Sequence, residues 1–288
     1  MLTIYELPVD HFDVTAPLFN EAWFDEPYMD AVLKGRHPGR IFVDDPVAPS
    51  AALMCRTYEY YVAGNVQSPL RTFIKDAPAE PEVFQKLYGY APVGDAWETA
   101  ILDDYAGALI RIPRHNFRWQ GAPLMDWHEK LPLGAQIVRI DRDLAERIDR
   151  EWHETIGLLW DGYDNYLQHG YGFCLMMGEE LGSFANSDGL SATLVNIGVQ
   201  TGEKFRRQGL AKLVCSAFIE YTLKTGRVPT WDTDGMNERS RALASSLGFV
   251  EGRMFSQLST PDYKPIVLSQ GLWSCQPGAD GLTIWTRA

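Results

Sequence analysis

The apolar positions between Gln136 and Phe249 change period several times, and each change marks an element. Residues 136–140 (QIVRI) alternate as a short strand, and from Asp143 onward Leu144, Ile148 and Trp152 recur every four residues, the spacing of an amphipathic helix. Residues 171–177 (YGFCLMM) and 181–185 (LGSFA) are apolar runs on either side of Gly178-Glu179-Glu180, which predicts a hairpin. Leu194, Val195, Ile197 and Val199 form a further strand. After it, residues 228–232 (VPTWD) read as another short strand, and Asn237-Glu238-Arg239-Ser240 opens a helix that runs through Leu243 and Leu247 to Gly248-Phe249.

The first half repeats this order more faintly. Leu2-Thr3-Ile4-Tyr5 predicts a strand and residues 11–20 a helix. Residues 40–44 and 51–55 predict an antiparallel pair across a turn at 46–49 that holds two prolines. Residues 97–102 (WETAIL) predict a later strand. A length of 288 residues has room for about two domains at roughly 150 residues each. The pattern places an N-terminal accessory α/β domain at 1–130 and a second domain at 135–288, with extra strands after Thr260 in the tail that carries Trp273, Cys275 and Trp285.

Chemistry concentrates where the strand ending at Val199 turns into a helix. Arg206-Arg207-Gln208-Gly209-Leu210-Ala211 places two cations and two small residues at that turn. A helix N-terminus presents unpaired N–H groups and partial positive charge, so a pyrophosphate can rest there when Gly209 and Ala211 let it approach. Arg206 and Arg207 then add charge-assisted contacts.

The spacing Arg206-x-x-Gly209-x-Ala211 on a strand-to-helix turn resembles the acyl-CoA signature of the GNAT superfamily of N-acetyltransferases. The downstream strand, then Asn237, Ser240, Leu243 and Gly248-Phe249, resembles that family's next segment. Over most of residues 1–255 the chain is similar to two-part bacterial GNAT proteins, through 40–45 and Tyr60-Tyr61-Val62-Ala63-Gly64 in one half and 198–211, Pro229-x-Trp231-Asp232 and Asn237-x-x-Ser240 in the other. The likeness is strongest from Phe173 to Phe249.

The resemblance implies an α+β fold. Its sheet is mixed and mostly antiparallel, flanked by helices, with central strands that splay after Val199. The N-terminal half is then either a degenerate GNAT-like copy or another α/β domain that shapes the acceptor pocket; it has no Arg-x-x-Gly-x-Ala cradle. The resemblance further implies acetyl-CoA as acyl donor, held by Ile197, Gly198, Val199, Arg206, Arg207, Gln208, Gly209, Leu210, Ala211, Asn237 and Ser240. Backbone N–H near Val199 polarises the thioester and the Asn237 amide holds the pantetheine arm. The acceptor is the amine of a small molecule, which attacks the thioester directly.

An ammonium cannot attack, so a base must take its proton. Many relatives carry a Tyr seven residues after the helix Asn and a Glu on the central strand; this chain has Ala244 and Asn196 there. Asp232, at the C-terminal end of its strand, is the candidate catalytic residue, with water, His153 and His169 as other routes for the proton. Asp234 beside Gly235 reads as a turn residue, Glu179 and Glu180 as solvated turn charges, and Trp231 as core. Trp152, Trp160, Tyr163 and Tyr166 can line an acceptor pocket or pack a core. Because of Asn196 and Ala244, two further readings stay open: a CoA-binding regulatory module with weakened turnover, and an acyltransferase with another acyl donor or a protein-lysine acceptor.

Composition narrows the partners. The apolar share of 45% and charged share of 22% are those of a globular protein. A net charge of −12 argues against nucleic acid, which selects a basic excess. No stretch approaches the ~18 apolar residues of a spanning helix, and the first residues lack a basic-then-apolar leader, so no membrane partner and a cytoplasmic location are expected. Cys55, Cys174, Cys215 and Cys275 lack metal or redox spacing, which predicts reduced thiols, Cys215 as a buried one, and no metal site. A monomer or a homodimer is compatible with all of this.

Overall fold

A computed structural model describes residues 1–20, 26–57, 59–76, 89–92, 94–105, 107–121, 124–259 and 273–287. The chain forms two compact units, one of residues 1–114 with 254–288 and the other of residues 115–253. No helix among the described residues is long and apolar enough to cross a membrane.

The first unit opens with β1 (Leu2–Leu7), a 3-10 segment (Val9–Thr15) and α1 (Ala16–Asn20). The expected helix over 11–20 is thus split, and Pro17, which lacks an N–H, sits in the first turn of α1, where none is needed. Then follow α2 (Glu26–Leu33), β2 (Arg40–Val43), β3 (Ala51–Arg56), β4 (Glu59–Gly64), α3 (Leu70–Asp76), β5 (Gly89–Pro92), α4 (Ala96–Asp104) and β6 (Ile110–Trp119). β1 to β4 pair antiparallel in chain order, and β4 pairs parallel with β5. β3 is buried along its whole length, so its AALMCR run is continuous rather than alternating.

The run WETAIL, expected as a strand, is the helix α4 instead. Asp95 caps it by accepting from Trp97 N at 2.6 Å, and Glu98 reaches back to Gly94 N at 2.6 Å. That reciprocal cap starts a helix whose buried residues Trp97, Ala100 and Ile101 fall at helical spacing, and it overrides the strand preference of the run.

The second unit begins within β6 and continues with α5 (Trp127–Lys130), β7 (Ala135–Arg139), α6 (Arg142–Trp152), α7 (Ile156–Leu159), α8 (Tyr163–His169), β8 (Gly172–Met177), β9 (Glu180–Leu190) and β10 (Leu194–Thr201). It closes with α9 (Leu210–Lys224), β11 (Val228–Asp234), α10 (Glu238–Ser246) and the first half of β12 (Phe249–Ser259). β7 to β10 pair antiparallel in chain order and β10 pairs parallel with β11. The expected strands and hairpin of this half are present. Its core joins Trp160, Tyr166, Val195, Val214, Cys215, Phe218 and Trp231.

Each unit therefore runs strand, helices, three antiparallel strands, helix, parallel strand, helix, so the repeat that was faint in the sequence is present in the topology. The expected boundaries differ in two respects, the first being that residues 115–130 fall in the second unit. Residues 254–288 join the first unit: the second half of β12 pairs antiparallel with β5, β13 (Trp273–Pro277) pairs with β14 (Thr283–Arg287), and β14 pairs with β1. Residues 260–272 of the tail lie outside the described residues.

Trp285 of β14 is 4% exposed and stands edge-on to Phe42 and Phe73, with centroids 6.3 Å and 5.8 Å away. The tail thus fills the first unit's core. Replacement of Trp285 by Ala is expected to cost about 3–5 kcal/mol in urea unfolding; a loss below about 1 kcal/mol contradicts this packing role.

Candidate active site

The second unit's sheet opens at its centre. β10 and β11 are in register only at Leu194↔Val228, Val195↔Pro229 and Asn196↔Thr230, although β10 runs on to Thr201 and β11 to Asp234. The strands therefore part after Asn196, earlier than the Val199 expected. The neighbouring strand is irregular at the same place. β9 pairs Gly189 with Asn196 and Ser187 with Ile197, so Asp188 is a surplus residue without a partner position in β10. A bulge of this kind bends and twists the strand locally.

Side chains on one face of this opening are polar. Asn196 is 2% exposed and donates from Nδ2 to Thr230 Oγ1 at 3.4 Å, so both point to the same face. By the two-residue period, Gly198 and Asp232 share that face. A Cβ on Gly198 would stand 2.6 Å from Asn186 Oδ1 and 3.4 Å from Asp188 Cβ, so a glycine is required beside the bulge. Asp232 is half-buried, beyond the last paired residue.

At the far end of β10 the chain makes one 3-10 turn (Glu203–Phe205) and enters α9 through Arg206-Arg207-Gln208-Gly209. Arg207 and Gly209 have φ of 63° and 79°, and Gly209 offers no side-chain cap to α9. Alternation into the left-handed region turns successive backbone N–H groups toward one concavity, an anion-binding arrangement. Arg206 and Arg207 are exposed at its rim; Arg206 Nε donates to Thr201 O at 3.4 Å and its guanidinium lies 3.6 Å from Glu203. Leu210 is buried at 1% exposure, so its backbone alone faces this loop.

The second expected motif holds the other flank. Asn237 caps α10, its Oδ1 accepting from Ser240 N at 3.1 Å, which leaves its amide hydrogens as donors. Ser240 Oγ accepts from Trp231 Nε1 at 3.0 Å, and Trp231 itself is core, against Phe249. Asp234 is the turn residue expected, accepting from Met236 N. Ala244 is buried in the core, so that position carries no titratable group.

The segment joining α6 and α7 carries a partly buried carboxylate that sequence reasoning did not single out. His153 ends α6 in the left-handed conformation and is exposed, as is His169. Glu154, next along, is half-buried, and its carboxyl is pushed up to about 7 by burial first and then by the charges of Asp188 and Asp149. Asp149 holds the loop in place: it accepts from Ile156 N at 2.8 Å, Gly157 N at 2.9 Å and Tyr163 Oη at 3.0 Å. At the other end of α7, Trp160 Nε1 donates to the carbonyl of Ser187, the residue before the bulge, at 3.2 Å. Of the aromatic group, Trp160 and Tyr166 are core, edge to face at 5.7 Å, while Trp152 is half-buried against Phe184.

A cleft of about 320 Å³ lies between α6 and the loop after β10, lined by Arg147, Glu151, Trp152, Leu181, Lys204 and Phe205. Its charges pair with one another, Lys204 with Glu180 and Arg147 with Glu151. The first unit lacks the corresponding cradle. Its β4 ends at Gly64, whose carbonyl accepts from Trp97 Nε1 at 2.9 Å, and Ser68-Pro69 rather than an arginine turn leads into α3.

The profile of the GNAT acetyltransferases matches residues 16–257, reaching into both units. The chain belongs to the GNAT acetyltransferase family. It is a GNAT-type acyl-CoA N-acyltransferase. Among relatives, the uncharacterized N-acetyltransferase YdfB of Bacillus subtilis is 26% identical over 235 residues, which cover 78% of this chain and 88% of YdfB. A GCN5-related N-acetyltransferase-like protein from Streptococcus suis has the same fold, with a TM-score of 0.69 at 23% identity over 87% of this chain and 98% of its own. A tandem GNAT protein from the clavulanic acid biosynthesis pathway gives a TM-score of 0.59 at 14% identity, covering 88% of this chain and 96% of its own.

The raised carboxyl of Glu154 has a consequence for stability. Its folded pKa of about 7 lies above the ordinary 4.5, so the folded state binds this proton more tightly, and the stability it contributes below pH 4.5 is lost as pH rises through 7. E154Q cannot ionise. It is therefore expected to be more stable than the wild type at pH 8 by about 1–2 kcal/mol after solvent screening, with the difference shrinking toward pH 5. Parallel denaturation curves for the two proteins across this range would contradict the shift.

Proposed function

We propose that the second unit binds acetyl-CoA and transfers its acetyl group to the amine of a small molecule. The observation that carries this reading is the end of β10–β11 pairing at Asn196↔Thr230 directly before the arginine turn. An acyl-pantetheine arm is a chain of amides, and it needs an open strand edge to pair with. Ile197, Gly198 and Val199 supply that edge on one side, and Asn237 supplies amide hydrogens on the other.

The pyrophosphate is assigned to the loop at Arg206, Arg207, Gln208 and Gly209 and to the N–H groups of Leu210 and Ala211, where helix dipole and guanidinium charge act together. Ser240 acts indirectly, by fixing Trp231 and the start of α10. Bound acetyl-CoA supplies an acetyl group activated for attack. Backbone N–H groups of β10 near Val199 are placed to polarise its carbonyl. The acceptor enters from the face that carries Asn186, Asp188 and Asn196, and Asp232 adds a carboxylate beside the gap. Negative charge on that side suits an amine that arrives protonated.

A CoA-binding module without turnover predicts binding but no thiol release, so a titration with acetyl-CoA followed by thiol release across an amine panel separates the two. Reversal of charge at Arg206 tests the cradle. R206E places a second carboxylate next to Glu203, and acetyl-CoA affinity is expected to fall about tenfold or more, near 1.4 kcal/mol. Unchanged affinity by calorimetry refutes the assignment.

A further inference from the structure

We propose that Asn186 orients the attacking nitrogen and that its carboxamide oxygen restricts the acceptor to primary amines. The inference rests on acetyl transfer at the gap between β10 and β11, and it names the class of amine that the gap admits.

The register places this side chain. Asn186 of β9 stands directly opposite Gly198 of β10, which is two residues beyond Asn196, the last to pair with β11. Its Oδ1 lies 2.6 Å from the point where a Cβ on Gly198 would stand, so the amide reaches across to β10 and fills the space a side chain there would take. Paired strands are about 4.8 Å apart, and a group that spans this distance stands over the far strand. That strand is β10, whose other edge is the open one. Oxygen is the near atom of the amide, the sense that the Cα hydrogens of Gly198 favour.

Asn186 is 4% exposed, and among the described residues its carboxamide has no hydrogen-bond partner. A buried amide in that state is uncommon in a folded protein, because nothing offsets the cost of taking it out of water. Other polar side chains nearby are already bonded. Asn196 Nδ2 donates to Thr230 Oγ1, Ser187 Oγ accepts from Tyr171 N at 2.9 Å, and Ser183 Oγ donates to Gln200 O at 2.8 Å. The backbone that carries the amide is fixed: Ser187 N donates to Tyr171 O at 2.8 Å, and Ser187 O accepts from Trp160 Nε1 at 3.2 Å. A functional group on such a strand is held in one place. In the first unit, which lacks the arginine turn, the third strand β3 is apolar from Ala51 to Cys55 and offers no amide.

A carbonyl oxygen accepts hydrogen bonds and cannot donate them. A free primary amine has two N–H groups, and each has a separate fate. Its nitrogen lone pair forms the C–N bond to the acetyl carbonyl carbon as the C–S bond breaks, and the electron pair of that bond goes to sulfur. One nitrogen proton passes to the thiolate, giving the free thiol. The other stays on nitrogen, hydrogen-bonded to Oδ1, and remains in the product amide. That bond also fixes the direction of the lone pair before attack. A secondary amine has a single N–H, which must leave, so it reaches product only by giving up the bond to Asn186.

The test uses the full chain, acetyl-CoA and three primary amines, butylamine, benzylamine and glycinamide, each beside its N-methyl counterpart. Wild-type protein is expected to acetylate at least one primary amine, about tenfold or more faster than its N-methyl form. N186L keeps the bulk of the side chain and removes the oxygen. It is expected to lose about tenfold or more in kcat/KM for the primary amine and less than about threefold for the N-methyl form, so that the preference collapses. Acetyl-CoA Kd within about twofold of wild type shows that the variant is folded. N186S, too short to reach Gly198, is expected to give the same collapse and takes the place of N186L if that variant does not fold; if neither folds, the wild-type preference alone decides. The inference is overturned if the variant keeps rate and preference, if the two classes of amine fall together as a merely structural role requires, if wild type shows no preference, or if acetyl-CoA binds and no primary amine is acetylated. In the last case the donor site stands alone. Failure of acetyl-CoA to bind the wild type overturns the donor reading, and this inference with it.

Discussion

Parallel strands at the middle of a sheet normally keep their ladder, because an unpaired buried N–H or C=O costs about as much as a lost hydrogen bond. In this protein β10 and β11 give up that ladder after Asn196, at the place where the surplus residue Asp188 shifts the register of β9 against β10. A bulge of this kind adds local twist to a strand, and β10 beyond it runs on without a registered partner in β11. Everything attributed to the site is arranged around that gap: the arginine turn at its far end, Asn237 on one flank, and Asn196, Gly198 and the carboxylates on its polar face.

The two units show the same topology put to different ends. In the first, β4 and β5 also stop pairing soon, after Tyr61↔Tyr90, but Trp97 donates its indole hydrogen to the last carbonyl of β4 and the following turn has no arginine pair. In the second unit Arg206 donates to the carbonyl of Thr201 that ends β10, whereas in the first a tryptophan donates to the carbonyl that ends the strand. That unit also draws its closing strands from the chain's far end, so residues 254–288 complete a core begun by residues 1–114. A cut at the middle of the sequence would strip the first unit of Trp285 and of its last strands.

How much of this could be read beforehand follows the range of the interactions involved. The arginine turn was legible because its shape depends on Gly209 and a few neighbours, each close in sequence. Asn237 was legible as an opener of a helix because capping is equally local. Residues 97–102 were misread because their β-forming content was weighed without the Asp95 and Glu98 cap. Glu154 was not legible at all. Nothing within several residues separates it from Glu151 or Glu179; its altered carboxyl arises from burial and from Asp188, which another strand brings to it.

By itself the sequence determined most of the periodic elements, the turn at 206–211 and the family, since all three are written in short-range spacing that backbone geometry must obey. Only the tertiary structure decided where the strands part, which unit owns the tail, and which carboxylate is desolvated. Those outcomes depend on the register of β9 against β10, on packing around Trp285 and on charges far apart along the chain, and a one-residue change of register moves every one of their side chains to the other face.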